Sequence, residues 1–259
     1  KTIFVNHHKS HAATAYYGSN NFGNKTLVFT NDGNGDGLSG SVNLVDEKGR
    51  WKLLENIDDK HSIGMIWALI TQLMGFVPLE HEYKLMGMAP YADQERSRKV
   101  ANKLKKLFNL FDGKYRTVLD IEITPLYTAK LIKKLKSLME FERFDSICAG
   151  LQLLTEEVLV SWVNGWIEVM GVNNICLSGG TFMNIKANKE VMGLDVVKDI
   201  FVFPSCGDET NSIGACYHAH AEKTGHRPDS LRNFYLGREW SEQEIINEVG
   251  EFDTANLLI

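Results

Sequence analysis

Apolar and polar positions along this chain of 259 residues follow two different periods, and the change between them divides the chain. Near the start, the run "TIFV" predicts a β-strand, and the segment after it predicts a helix that ends at Gly18. Three β-rich runs follow at 25–32, 39–47 and 50–57. The turns "GNGDGL" and "EKGR" join these runs, so they predict an antiparallel three-stranded meander.

From Ser62 onward the apolar positions recur with the helical period. Ser62 is a suitable N-cap for a helix that closes at Gly75. Further helices are predicted at about 94–110, 127–139 and 144–171. The last of them is apolar nearly all round, which implies that it is buried.

After residue 171 strands alternate with helices. The runs "NNICLSGG" and "DIFVFPS" each predict a strand, and a helical segment follows each of them. Alternation of this kind implies parallel strands, added to the meander through right-handed crossovers. The sequence therefore predicts an α/β fold with a mixed sheet, an element order of βββαβαβα from residue 25, and a helical insertion at about 77–143.

Composition narrows the classes of function. The chain is 44% hydrophobic and carries 28 Lys plus Arg against 33 Asp plus Glu, a balance that does not favour nucleic acid as a partner. No signal peptide opens the chain and no apolar run approaches the ~20 residues of a membrane span, so no membrane partner is predicted. The four cysteines lie in apolar surroundings without a CxxC pair, and we interpret them as core residues of a reduced, cytoplasmic protein.

The segment "VNHHKSH" places three histidines close together. His7 and His11 are spaced i, i+4, so on a helix both imidazoles lie on one face and suit two ligands of one transition metal. Two solvated or packed histidines are the alternative. His8 points to another side of the helix, and we interpret it as a hydrogen-bonding residue that faces a substrate or a neighbouring loop.

Three loops that follow strands combine glycines with acidic or amide residues. In "NDGNGDGLSG", glycines allow the backbone to approach a phosphate, and Asp32 can hold a metal; a hairpin turn is the alternative. In "LSGGTFMN", Gly179 and Gly180 allow contact with a ribose or phosphate, and a plain tight connection is the alternative. In "CGDETN", Asp208 precedes a helix, where an acidic residue also serves as a cap. The carboxyl ends of parallel strands meet at one sheet edge, so we expect the three loops to converge there.

The segment "EHEYKLMGMAPYA" collects Glu82, Tyr83 and Lys84 ahead of Pro90. Taken alone, it also fits a helix with a proline stop. Together with "HHKSHAATAYY" and the three loops, and in this order, it resembles the NodU/CmcH-type O-carbamoyltransferase family over roughly residues 3–245. That family is related to the tRNA threonylcarbamoyl-adenosine transferases, and both belong to the actin-like ATPase superfamily. The resemblance implies an actin-like (RNase H-like) lobe.

The resemblance also implies roles for particular residues. His7, His11, Asp32 and Asp208 would bind a divalent Fe, Mn or Zn ion. The residues that would hold ATP or carbamoyl-adenylate are Gly33, Gly35, Gly37, Gly179, Gly180, Asn184 and Gly207. Lys84 is a separate hypothesis, which rests only on the dense motif that contains it: we expect it to contact a phosphate or carbamoyl group. His8 is expected to act as general base toward the acceptor hydroxyl, with a packing or hydrogen-bonding role as the alternative.

The expected activity is carbamoyl transfer to a hydroxyl of a sugar-like or secondary-metabolite acceptor, with carbamoyl phosphate and ATP as the source of the donor. The chain lacks an initiator Met, and we interpret residues 1–24 as the end of a first lobe, 25–226 as the second lobe, and 227–259 as a tail toward a YrdC-like domain. The expected partners are therefore the missing parts of the same protein, without which this fragment is expected to show little activity.

One segment, "PYA", departs from the family, which has a glycine after the tyrosine. Rival hypotheses are a tRNA threonylcarbamoyl transferase, a kinase of the same superfamily, and a non-catalytic nucleotide- or metal-binding module.

Overall fold

The computed structural model describes residues 2–111, 114–117, 129–231, 233–235 and 237–251. Its strands are β1 (Thr26–Gly35), β2 (Leu38–Val45), β3 (Trp51–Asp58), β4 (Phe108–Phe111), β5 (Lys114–Thr117), β6 (Asn174–Ser178) and β7 (Asp199–Val202). Its helices are α1 (His7–Gly18), α2 (Ile63–Leu73), α3 (Glu82–Met88), α4 (Gln94–Lys105), α5 (Ala129–Met139), α6 (Phe144–Met170), α7 (Ile185–Met192), α8 (Asn211–Thr224) and α9 (Glu242–Glu251).

Five strands form a mixed sheet in the order β3-β2-β1-β6-β7. β1, β2 and β3 pair antiparallel, which confirms the predicted meander. β6 joins β1 in parallel and β7 joins β6 in parallel, as the alternation of strands and helices predicts. The carboxyl ends of β1, β6 and β7 therefore lie at the same edge of the sheet.

Both faces of the sheet are covered. Along β1, Leu27 and Phe29 belong to the larger core, which contains α2 and α6, whereas Val28 belongs to the smaller core under α1 and α8. This alternation follows from the period of two in a strand, and it places helices on both sides of one layer. The chain thus folds as an α/β domain around a central mixed sheet.

The 27-residue helix α6 is the main support of the larger core. The indole N–H groups of Trp162 and Trp166 both donate to Oε2 of the buried Glu55 on β3, at 3.2 and 2.9 Å. The helix ends at Gly171, whose φ of 63° lies in the left-handed region. Of the helices in the described part of the chain, α6 is the one long and apolar enough to cross a membrane, and 72% of its most apolar window is buried inside the domain.

Two sequence predictions about elements are wrong. Residues 2–5 do not form a strand, and the ring of Phe4 is 93% exposed. The sheet contains β3, β2, β1, β6 and β7, and this run pairs with none of them. The helix predicted over 94–110 ends at Lys105, because the chain then pairs in the β4–β5 hairpin.

Other predictions hold within the described residues. The side chain of Ser62 caps α2 by accepting a hydrogen bond from the backbone N–H of Met65. Residues 127 and 128 of the predicted helix 127–139, and residues 232, 236 and 252–259 of the predicted tail, lie outside the described part. Three of the four cysteines are buried as expected, but Cys216 is exposed because it lies on the outer side of α8.

Candidate metal centre and cavity

Helix α1 begins at His7 and directs two imidazoles to one point. The Nε2 atoms of His7 and His11 lie 3.1 Å apart. The carboxylate of Asp36 accepts hydrogen bonds from the backbone N–H of His7 at 2.8 Å and from the side chain of Asn6 at 2.9 Å. An anion at a helix N-terminus satisfies a free N–H and opposes the helix dipole. The loop after β1 therefore fixes where α1 starts and where His7 stands.

Two aspartates complete the cluster from the carboxyl ends of strands. Oδ2 of Asp32 lies 3.1 Å from His7 Nε2, while its Oδ1 accepts the backbone N–H of Gly180 at 3.0 Å. Oδ1 of Asp208 lies 3.1 Å from His11 Nε2 and 3.3 Å from His7 Nε2. The structure therefore brings together all four of the residues predicted as metal ligands.

The donor set suits a divalent transition metal. One ligand atom from each of the four residues lies within 4.8 Å of all the others, and His11 is fully buried. Two imidazole nitrogens and two carboxylate oxygens are ligands that Fe(II), Mn(II) and Zn(II) accept. On the far side of the ring, Oγ of Ser178 lies 3.4 Å from His11 Nδ1, where a hydrogen bond would orient the ligand.

The charges in the cluster also favour a cation. Burial by itself raises the pKa of Asp32, but the hydrogen bond from His7 and the positive charge of His11 lower this pKa to about 2. The same hydrogen bond raises the pKa of His7, with further support from the charge of Asp208. Asp32 is thus an ionised ligand at ordinary pH, and the raised pKa of His7 means that protons compete with a metal for this imidazole.

His8 lies on another side of α1, where it is buried. Its Nε2 lies 3.0 Å from the carbonyl oxygen of Leu38 and its Nδ1 lies 2.9 Å from the hydroxyl of Thr30. A carbonyl only accepts, so Nε2 carries the hydrogen and Nδ1 accepts from Thr30. Burial lowers the pKa of His8 to about 4. These contacts favour the hydrogen-bonding role over that of a general base, because both ring nitrogens already have partners inside the domain.

A cavity of about 640 Å³ adjoins the cluster. One part of its wall is apolar and consists of Met65, Trp67, Leu79, Tyr83, Met86 and Met183. The acidic lining residues are Asp32, Glu80, Glu82, Asp208 and Glu209. No Lys or Arg is among the described residues that line it. An anionic ligand therefore needs a cation to accompany it here.

The residues predicted to hold a nucleotide divide into two groups. Those that line the cavity are Gly33, Gly180, Asn184 and Gly207. Gly35 instead lies against the ring of His7, Gly37 turns the β1–β2 hairpin with φ of 78°, and Gly179 packs on the backbone of Asn31. The last three therefore have packing or turn roles in this structure.

Lys84 does not line the cavity. Its Nζ instead lies 5.4 Å from the ring centre of Phe76 and 5.8 Å from that of Tyr83, at the distances of cation–π contacts. Trp67 and Gln152 are not among the residues predicted from sequence; they contribute a wall of the cavity and a hydrogen-bond partner of Asn184. The available signal was weak, because Gln152 is one of several polar residues in α6, close to Thr155 and Glu156.

Comparisons with family models and with curated proteins show what this chain is similar to. The model of the family described as "Carbamoyltransferase N-terminus" matches residues 1–217. An uncharacterized protein of Synechocystis sp. is 29% identical over 94% of this chain and 41% of its own length. The nodulation protein NolNO of Sinorhizobium fredii is 28% identical over 94% of this chain and 36% of its own length.

A crystal structure of full-length HypF in its phosphate- and nucleotide-bound form aligns with a TM-score of 0.46 and 15% identity, over 86% of this chain and 44% of that one. The chain spans about two fifths of the length of the curated relatives that it matches. With the family model matched over most of its residues, the chain belongs to the carbamoyltransferase family.

Proposed function

We propose that the protein transfers a carbamoyl group from carbamoyl-adenylate to a hydroxyl of a sugar-like or secondary-metabolite acceptor, with the help of a divalent metal. The observation that carries this proposal is the convergence of His7, His11, Asp32 and Asp208 beside the cavity, in a chain of the carbamoyltransferase family. The proposal also includes an actin-like lobe for residues 25–226, joined to a first lobe and a YrdC-like domain, in a reducing cytoplasmic setting.

The four-ligand cluster has one main use in this reaction. A divalent ion bound there supplies Lewis-acid polarisation of a carbonyl or phosphoryl oxygen. Without an added cation, the five carboxylates that line the cavity repel the phosphate of an adenylate. By holding such an ion, His7, His11, Asp32 and Asp208 would allow the donor to bind as well as to be activated.

The apolar part of the cavity suits the adenosine end of the donor. The indole of Trp67 and the side chains of Met65 and Met183 offer apolar surface to a flat base. Gly180 leaves open space above the sheet edge because it has no side chain, and its backbone already fixes Asp32. The donor thus lies with its phosphate toward the cluster and its base toward α2, which carries Met65 and Trp67.

In the transfer step, the oxygen of the acceptor hydroxyl attacks the carbamoyl carbon. A new C–O bond forms, the bond between that carbon and the phosphate oxygen breaks, and AMP leaves with the electron pair. The hydroxyl proton goes to solvent, since both nitrogens of His8 are already hydrogen-bonded inside the domain.

The test uses the natural full-length protein with ATP, carbamoyl phosphate and Mn²⁺, and water takes the place of the acceptor hydroxyl as the attacking group. We expect release of AMP that depends on carbamoyl phosphate, and its loss in Asp32→Asn, which keeps the size of the ligand but removes its charge. Loss of bound metal, measured by elemental analysis, should accompany the loss of AMP release. A protein that binds metal and nucleotide yet releases no AMP would support the non-catalytic module instead.

A further inference from the structure

The amide of Asn184 at the cavity wall has a fixed orientation. Its Oδ1 accepts the backbone N–H of Ala187 at 3.1 Å, which caps α7. A backbone N–H only donates, so the atom that faces it is the oxygen and the other end of the amide is the nitrogen. The amide nitrogen donates one hydrogen to Oε1 of Gln152 at 2.9 Å.

Gln152 completes a reciprocal pair with this amide from the buried face of α6. Its Nε2 donates to Oδ1 of Asn184 at 3.0 Å and to Oε1 of Glu156 at 2.8 Å. The side chain is only 3% exposed, so both of its polar ends must be satisfied inside the domain. Glu156 sets the orientation of Gln152, and Gln152 sets that of Asn184.

One hydrogen of the Asn184 amide nitrogen remains. Within the described part of the chain, no acceptor is paired with it, and Asn184 lines the cavity. Trp67 stands nearby, since its indole N–H donates at 2.8 Å to the hydroxyl of Thr155, which is one turn after Gln152 on α6. The same helix therefore holds both a flat aromatic wall and a directed N–H donor.

We propose that Gln152 is a positioning residue, which holds the free N–H of Asn184 toward a ring-nitrogen acceptor of a flat heterocyclic ligand against Trp67. The inference rests on the proposed function in taking adenine as that heterocycle. Adenine offers three ring-nitrogen acceptors, N1, N3 and N7, and a single directed donor selects one of them. Base recognition in this cavity then depends on one hydrogen bond and one aromatic contact.

The test measures binding of AMP and of 1-deaza-, 3-deaza- and 7-deaza-AMP to the Mn²⁺-loaded chain by calorimetry. Each analogue replaces one acceptor nitrogen with C–H, and only the analogue that lacks the contacted nitrogen leaves the donor of Asn184 unpaired. We expect one of the three to bind about tenfold more weakly than AMP, since an unpaired buried donor costs that order of affinity. The other two should bind as AMP does.

Two variants link the discrimination to the amide pair. Asn184→Ser keeps an N-cap for α7 but removes the amide, and Gln152→Met removes the partner at similar volume. Both should bind AMP and the weak analogue equally. Gln243→Met is the matched control, because Gln243 makes an exposed amide contact with Asn247 in α9, and it should keep the full discrimination. Thermal unfolding, monitored by circular dichroism, checks that each variant is folded.

The outcomes separate the two proposals. If AMP binds and all three analogues bind as tightly as AMP, Asn184 donates to no ring nitrogen. The inference is then overturned, while the proposed nucleotide site is retained. If Gln152→Met keeps the discrimination, Gln152 does not position the donor. If AMP itself does not bind in the presence of Mn²⁺, the nucleotide site and the inference fall together.

Discussion

The two ends of the cavity are built in different ways. At the cluster end, two glycines stand where neighbouring atoms leave no room for a side chain. Gly35 lies against the ring of His7, and Gly214 of α8 lies against the Ser10 carbonyl of α1. At the amide end, the partners are side chains, with Asn184 and Trp67 hydrogen-bonded to neighbouring positions of α6.

This difference determines how far the effect of a substitution spreads from each end of the cavity. Close backbone packing couples the ligand positions to the fold, so a single added methyl group moves whole elements. A side-chain hydrogen bond can be removed without moving the helix that carries it, and the cost stays near that bond. We therefore expect global effects at the cluster end and local ones at the amide end.

The largest effect is expected for Gly214→Ala. The added Cβ would overlap the Ser10 carbonyl oxygen and the Thr14 hydroxyl, so α8 must move away from α1. We expect the free energy of unfolding to fall by about 3 kcal/mol, measured by urea denaturation, as for other overpacked cores.

Gly87→Ala is the control for this substitution. Gly87 lies in α3 with no atom within 4 Å of the added Cβ, so the variant should gain about 0.5–1 kcal/mol. Equal losses in the two variants would mean that the helix contact does not limit stability.

Gly35→Ala should act on the metal more than on the fold. Its Cβ would overlap the ring of His7 and turn Nε2 away from Asp32. We expect Mn²⁺ affinity to fall by about 10–100-fold in a chelator competition, the scale found when a ligand is misoriented. Gly37→Asn is the control, since this position has no neighbour within 4 Å and Asn tolerates its positive φ. An unchanged affinity in Gly35→Ala would break the link between glycine packing and ligand position.

Thr155→Val tests the amide end. The substitution keeps the shape of the side chain but leaves the indole N–H of the buried Trp67 without its acceptor. We expect a loss of about 1–2 kcal/mol in unfolding free energy and a change in tryptophan fluorescence. Mn²⁺ affinity should stay as in the parent, and a parallel fall would show that the two ends are coupled.

The smallest effect is expected for His8→Gln. A glutamine amide can donate to the Leu38 carbonyl and accept from Thr30, so the stability loss should be about 1 kcal/mol. Carbamoyl transfer by the full-length protein should stay within a few-fold of the parent. A rate drop of about 10²-fold or more at unchanged stability would restore His8 as a general base.

Much of the cluster end could be predicted from sequence because its signals are local. The i, i+4 spacing puts His7 and His11 on one helix face, while Asp32 lies toward the end of β1 and Asp208 follows β7, whose carboxyl ends share one sheet edge. Sequence does not distinguish a glycine that faces a ligand from one that allows two backbones to touch. For this reason Gly35 and Gly179 were expected near a nucleotide, although the structure uses them for packing.

The amide end was beyond prediction for a different reason. Gln152 and Asn184 are 32 positions apart, and no spacing rule joins a residue of α6 to the first residue before α7. The run "TIFV" shows the same limit in the fold: its residues have strand propensity, but a strand needs a neighbour, and the sheet offers none at this place. Local pattern predicts an element, whereas tertiary contacts decide whether it forms.

The hydrogen bonds of the Glu55 carboxylate bear on residues elsewhere along α6. It accepts hydrogen bonds from Trp162 and Trp166, two residues one turn apart, so it sets the rotation of α6 about its own axis. Gln152 lies ten residues earlier on that rigid rod, about 15 Å along the axis. We therefore expect a substitution that removes the Glu55 carboxylate to alter the orientation of the pair formed by Gln152 and Asn184, although Glu55 does not line the cavity.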